Sequence, residues 1–133
     1  MSITYFIMCR CRDKNVVVYG NHLFDHWTAS ALSIEEFEAQ YKRNECALSQ
    51  LDNSVELFSF TNGQPGICFS NREVDLLKVM GARKIFSSAG SVNHDASKYL
   101  LDRVSFSESD KDENHFWFKI GLAVLKDFLH NEP

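Results

Sequence analysis

The sequence predicts an α+β domain, a mainly antiparallel sheet with helices packed on it and a largely buried C-terminal helix. Three observations predict it. Strand-like and helix-like stretches are mixed without the strict alternation of a doubly wound fold. Apolar runs separated by short turn signals suggest hairpins. The stretch Asn114–Asn131 reads as a helix that is apolar over more than half its circumference. Stepping 100° per residue from Phe116 puts Ile120, Val124, Trp117, Phe128, Gly121, Leu125, Phe118, Leu129 and Leu122 in one continuous arc. Lys126, Lys119, His130 and Asp127 share the narrow strip that remains. A helix lying on a domain surface shows a narrower stripe, so this one is expected to be covered on two sides.

The elements follow in order. Ile3–Cys11 is rich in β-branched and aromatic residues and reads as a strand. Arg12–Asn15 is turn-prone, Val16–Tyr19 resumes as a strand, and Gly20 and Asn21 end the unit. Both runs are nearly continuously apolar, the pattern of a sheet covered on both faces or of central strands. His22–Leu32 is open between one short helical turn and a loop packed on the core through Leu23, Phe24 and Trp27. Ser33 reads as an N-cap, with Glu36 three residues later completing a capping box. In the helix that follows, Ile34, Phe37, Tyr41 and Leu48 form a narrow buried stripe. Glu35, Glu38, Lys42, Arg43 and Glu45 face water, Glu38 and Lys42 in the favourable i, i+4 order.

Val55–Thr61 is predicted as a strand, Asn62–Gly66 as a turn, and Ile67–Ser70 as the returning strand. Asn71 is the predicted cap of a helix from Arg72 to Met80, with Gly81 as its left-handed stop. Ile85–Ser88 is a short strand, Ala89–Asn93 a loop, Asp95–Leu101 the start of a helical turn, and Arg103–Ser107 one more strand. Glu108–Asp112 is a charged linker, one of whose aspartates caps the last helix.

A chain of 133 residues fits one domain, taken here as 1–133. Its 44% hydrophobic content and 11 phenylalanines argue for a packed core and against disorder. A net charge of −4 argues against nucleic acid, which asks for a basic patch, and suits a basic protein partner. No stretch approaches the ~20 apolar residues that span a bilayer. Arg10 and Arg12 follow the apolar start instead of preceding it, so no export signal is expected. The expected compartment is then the cytoplasm, with Cys9, Cys11, Cys46 and Cys68 as reduced thiols.

Each chemical motif has a plainer reading that outweighs it. Cys9 and Cys11 share a strand face, and His22 and His26 are four apart, which together offer four zinc ligands. Structural zinc sites space their cysteines by two to four residues, so small core cysteines and capping histidines are preferred. Cys46, on the polar side of its helix, and Cys68, in a strand, have no base that the sequence assigns to them. Ser87–Ser91 follows a strand and offers backbone amides to an anion, with Asn93, His94 and Asp95 beside it. It lacks the Walker lysine and the GxGxxG pattern. The carboxyl pairs Glu35–Glu36 and Asp110, Asp112, Glu113 sit where they cap helices, not in apolar pockets. No catalytic residue, metal or cofactor is assigned.

The leading expectation is therefore a small cytoplasmic non-enzymatic protein-binding domain. It fits an immunity or inhibitor protein that blocks the cleft of a basic toxin or nuclease. Its contact residues would be Glu35, Glu38, Glu45, Glu108, Asp110, Asp112 and Trp117. Part of the Trp117, Phe118 and Leu122 surface would be enclosed by the His22–Trp27 segment or used in assembly. The alternatives are a small enzyme with a Cys/His or metal site and an obligate homo-oligomer built on the C-terminal helix.

Overall fold

The computed structural model describes residues 17–106 and 112–130, with side chains up to Lys126. The strands are β1 (Tyr19–Asn21), β2 (Ser54–Ser59), β3 (Lys84–Ser87) and β4 (Leu100–Asp102). The helices are α1 (Ile34–Leu48), α2 (Asn71–Val79) and α3 (Glu113–His130), with a 3-10 turn at Ala29–Ala31. The predicted Ile3–Cys11 strand lies outside the described residues.

The four strands form one sheet in the order β1-β2-β3-β4, and every neighbouring pair is parallel. This corrects the expectation of a mainly antiparallel sheet. Parallel neighbours cannot be joined by a tight turn and need a crossover of a dozen residues or more. Helices α1 and α2 are those crossovers. The turn at Asn62–Gly66 opens the second one instead of closing a hairpin. Ile67–Ser70 does not return as a strand, and one bridge between Pro65 and Phe69 is all the ladder it makes. β1 begins at Tyr19, where the predicted strand ends, and β4 lies just before the predicted Arg103–Ser107 strand.

Local chemistry sets the helix ends. The Ser33 hydroxyl accepts from the Glu36 amide at 3.2 Å, and the Glu36 carboxylate accepts from the Ser33 amide at 2.8 Å. Ser70 and Glu73 repeat this box on α2, so the cap is Ser70 and not Asn71. Gly81, at φ +95°, ends α2. Its amide donates to Lys78 and the Ala82 amide to Leu77, the two bonds of a Schellman motif.

The core lies between the sheet and the first two helices. Phe58, Ile85 and Leu100 are register partners and point to one face. Phe37 and Tyr41 of α1 pack on Phe58, with ring centroids 6.0 and 5.9 Å away, and Val74 and Leu77 of α2 join the same cluster. Burying each of these large side chains stabilises the fold by ~1.5–3 kcal/mol. The opposite face carries Leu57, Ser59, Phe86 and Leu101, all half-buried.

The last helix departs from expectation. Trp117 is 61% exposed, Phe118 63%, Leu122 46% and Leu125 52%, while Ala123 is buried. Over its described side chains, up to Lys126, helix α3 is thus not a largely buried element. Its apolar periodicity reports how much greasy surface it carries, not what covers that surface. The His22–Trp27 segment does not enclose it: Trp27 is itself more than half exposed, and the Phe24 ring lies under the Arg43 guanidinium of α1.

Candidate functional site

Helix α3 begins at Asp112, which accepts from the Asn114 amide through its carboxylate and from the Phe116 amide through its backbone carbonyl. Asp112 is thus the capping aspartate of the charged linker. The helix is attached along one side. Phe116 stacks on Phe106 at 4.9 Å, the Lys119 ammonium donates to the Ser105 carbonyl, and the Lys126 ammonium to the Ala89 carbonyl. Ala123 falls on this inner side. At 100° per residue, Trp117, Phe118, Gly121, Leu122, Val124 and Leu125 span roughly 160° on the outer side, centred opposite Ala123. All six are exposed. The Trp117 indole N–H reaches the Glu113 carboxylate at 3.4 Å, so the acidic first turn adjoins the apolar arc.

The other predicted contact residues lie elsewhere or outside the described residues. Glu35, Glu38 and Glu45 sit on the outer side of α1, which packs beside β1 at one edge of the sheet. Helix α3 follows β4, at the other edge. Glu38 pairs with Lys42 at 2.9 Å. The backbone amide of Glu35 and the Ser33 hydroxyl hold the Glu35 carboxyl below its ordinary range. The fold therefore keeps Trp117 and Asp112 together and places the α1 glutamates apart from them. Glu108 and Asp110 lie outside the described residues.

The cysteine and histidine candidates are likewise divided. Cys46 is exposed and Cys68 half-buried, both as free thiols, and Cys9 and Cys11 lie outside the described residues. His22 and His26 share no helix, yet their rings meet edge to face at 5.0 Å. His26 sits at φ +60°, an uncommon conformation for a non-glycine residue. The Nδ1 atom of His22 lies 2.6 Å from the Ser59 carbonyl oxygen. Burial is the largest influence on its pKa and drives it below the ordinary value. The Ser59 contact opposes that shift, and the nearby His26 and Arg103 charges reinforce it. Among the described residues, no group of three or more His, Cys, Asp or Glu side chains is placed to hold a metal ion.

The Ser87–Ser91 loop does not open a helix. The β3–β4 crossover carries only a turn near Asp95, leaving a cavity of about 660 Å³ lined by Pro65, Ala89, Asn93, Asp95, Lys98 and Asp102 among others. Its polar groups largely serve the loop. The Ser87 hydroxyl donates to the Asp102 carboxylate, and the Asn93 amide exchanges two bonds with the Asp102 backbone at 2.6 and 2.8 Å. The Asp95 carboxylate accepts from the Ser97 amide.

Sequence reasoning misses Ser59 and Arg103, because neither belongs to a motif. Only a parallel sheet sets strand ends side by side, and that arrangement is what brings these two near His22.

No protein-family model, curated protein or solved structure matches this chain. Among the described residues, no helix is long and apolar enough to cross a membrane.

Proposed function

We propose that this chain is a protein-binding domain and that the outer arc of α3 is its contact surface. One observation carries the reading: four large apolar side chains, Trp117, Phe118, Leu122 and Leu125, stand about half exposed or more on one side of a single helix. Contiguous exposed apolar surface on an ordered element marks an interaction site, and aromatic anchors dominate binding energy. A helix presenting such an arc fits an apolar groove. Asp112 and Glu113 beside Trp117 favour a groove with a basic rim. Inhibition of a basic toxin or nuclease in the cytoplasm is the specific form of the proposal that suits the acidic charge.

The test is calorimetric titration against the proteins encoded beside this chain's gene, using wild type and the double variant Trp117→Ser/Leu122→Ser. The expected result is binding that weakens with added salt and drops by about a thousandfold in the variant, the loss of two anchors worth ~2 kcal/mol each. Equal affinity in the variant, or binding to none of those proteins, would sink the proposal. Light scattering covers the remaining occupant. A wild-type dimer that the double variant converts to monomer assigns the arc to a second copy and replaces this reading.

A further inference from the structure

Two cationic or ionisable side chains reach the end of β2 from its two flanks, one after β1 and one after β4. His22 follows β1, and its Nδ1 atom lies 2.6 Å from the Ser59 carbonyl oxygen. Arg103 follows β4, and its Nη2 atom donates to the Phe60 carbonyl oxygen at 2.7 Å. The imidazole and the guanidinium therefore hang from consecutive peptide units of one strand exit. Ser59, Phe86 and Leu101 are register partners, and Arg103 comes two residues beyond Leu101, its amide donating to the Ser87 carbonyl at 3.3 Å. Ser59, Phe86 and Leu101 lie on the face opposite the one on which α1 and α2 pack.

The polar atoms gathered here are incompletely used. Ser59 Oγ and Arg103 Nε are both buried, and neither has a hydrogen-bond partner among the described residues. Leaving a buried donor unmet is costly, and more so when it is charged, so an orphaned group in a folded chain points to something that meets it. Both atoms can donate. The guanidinium edge has the planar geometry that matches two oxygens of a carboxylate or a phosphate. Donation from Nδ1 to the Ser59 carbonyl sets the neutral His22 tautomer and leaves the lone pair on Nε2. Bound negative charge would favour the protonated ring, which can donate in turn.

We infer that His22, Ser59 and Arg103 form a binding site for an oxyanion, the phosphate or carboxylate group of a small ligand. The site is separate from the outer arc of α3 and does not depend on it.

The experiment is an NMR titration of the full-length, isotope-labelled chain with inorganic phosphate and, in parallel, with acetate, at constant ionic strength. Saturable shifts at the His22 ring and the Ser59 amide are expected, with the His22 pKa rising as the anion binds. Saturation by phosphate alone assigns a phosphate ligand, and saturation by acetate alone a carboxylate. Arg103→Gln should raise the midpoint at least about tenfold, and Ser59→Ala should raise it by a smaller factor. Should Arg103→Gln fail to fold, Ser59→Ala carries the test. Shifts that never saturate, or midpoints that neither variant moves, overturn the inference.

Discussion

Asn21 and Tyr41 stand twenty residues apart, and one buried hydrogen bond joins them: the Asn21 amide donates to the Tyr41 carbonyl oxygen at 3.0 Å. The same side chain accepts from the Leu23 amide at 3.1 Å and from the Asn44 amide group at 3.0 Å. One asparagine therefore ties the end of β1 to the middle of α1 and sets the path on which His22 lies. Leu23, buried at φ +59°, depends on it most. Asn21→Ala leaves the Leu23 amide unmet inside the core. The expected loss is about 2 kcal/mol, read as a lower urea midpoint with an unchanged slope.

The identity of the core can be checked by contrasting two sites. Phe58 is fully buried between the sheet and α1, and Phe58→Ala should cost about 3–5 kcal/mol. Leu122→Ser on the outer arc of α3 should stay within ~0.5 kcal/mol of wild type. Comparable losses at both positions, measured by thermal unfolding, would mean that α3 belongs to the core after all.

Two groups give stability a stepped dependence on acid. Burial disfavours a charge on Glu73, yet the Ser70 backbone and hydroxyl and the Arg72 guanidinium outweigh it and hold the carboxyl below its ordinary 4.5. Its contribution is complete above that pH and is lost as pH falls toward the depressed value in the fold. His22 has a folded pKa below its ordinary 6.5, so the unfolded chain takes up the proton first, and stability declines as pH drops through 6.5. His22→Gln should flatten the upper step and Glu73→Gln the lower one. Denaturation midpoints measured across pH 3–8 test both, and a slope that neither variant alters contradicts the assignment.

Gly63 is required for close approach. A Cβ atom there would sit 2.5 Å from the Ser88 amide nitrogen and 2.6 Å from the Ser88 hydroxyl. The Gly63 amide donates to that hydroxyl at 3.1 Å, and the Ser88 amide donates back to the Gly63 carbonyl at 2.8 Å. Gly63→Ala should cost about 1–3 kcal/mol by forcing the loops after β2 and β3 apart. A variant that melts with the wild type shows that these loops have room to give.

Local signals in this chain are legible and directions are not. Ser33, Glu36 and the spacing of Phe37, Tyr41 and Leu48 suffice to place α1, because a cap and a 3.6-residue period act within one segment. Ser70 and Glu73 repeat that pattern, and choosing Asn71 as the cap misses it by one residue. Whether β2 pairs with its neighbours in parallel depends on where the chain travels between strands, which no window around Asn62–Gly66 contains. The continuous apolar run at Val16–Tyr19 suggests a strand covered on both faces, yet β1 begins only at Tyr19 and Val18 is exposed, so the run does not give the strand direction either. The candidate oxyanion site stays hidden for the same reason, since His22, Ser59 and Arg103 are neighbours only after the strand order is known. The α3 surface is legible as apolar, but its exposure is a property of the neighbouring elements.

The Lys84 ammonium donates to three consecutive backbone carbonyls, those of Ala96, Ser97 and Lys98, at 2.7–2.9 Å. A ring of carbonyl oxygens is how other proteins seize a potassium ion. Here the cation is tethered to β3 by its own side chain. The crossover that lacks a helix is therefore gathered by a donor belonging to the sheet itself, which fastens the approach to β4 onto β3.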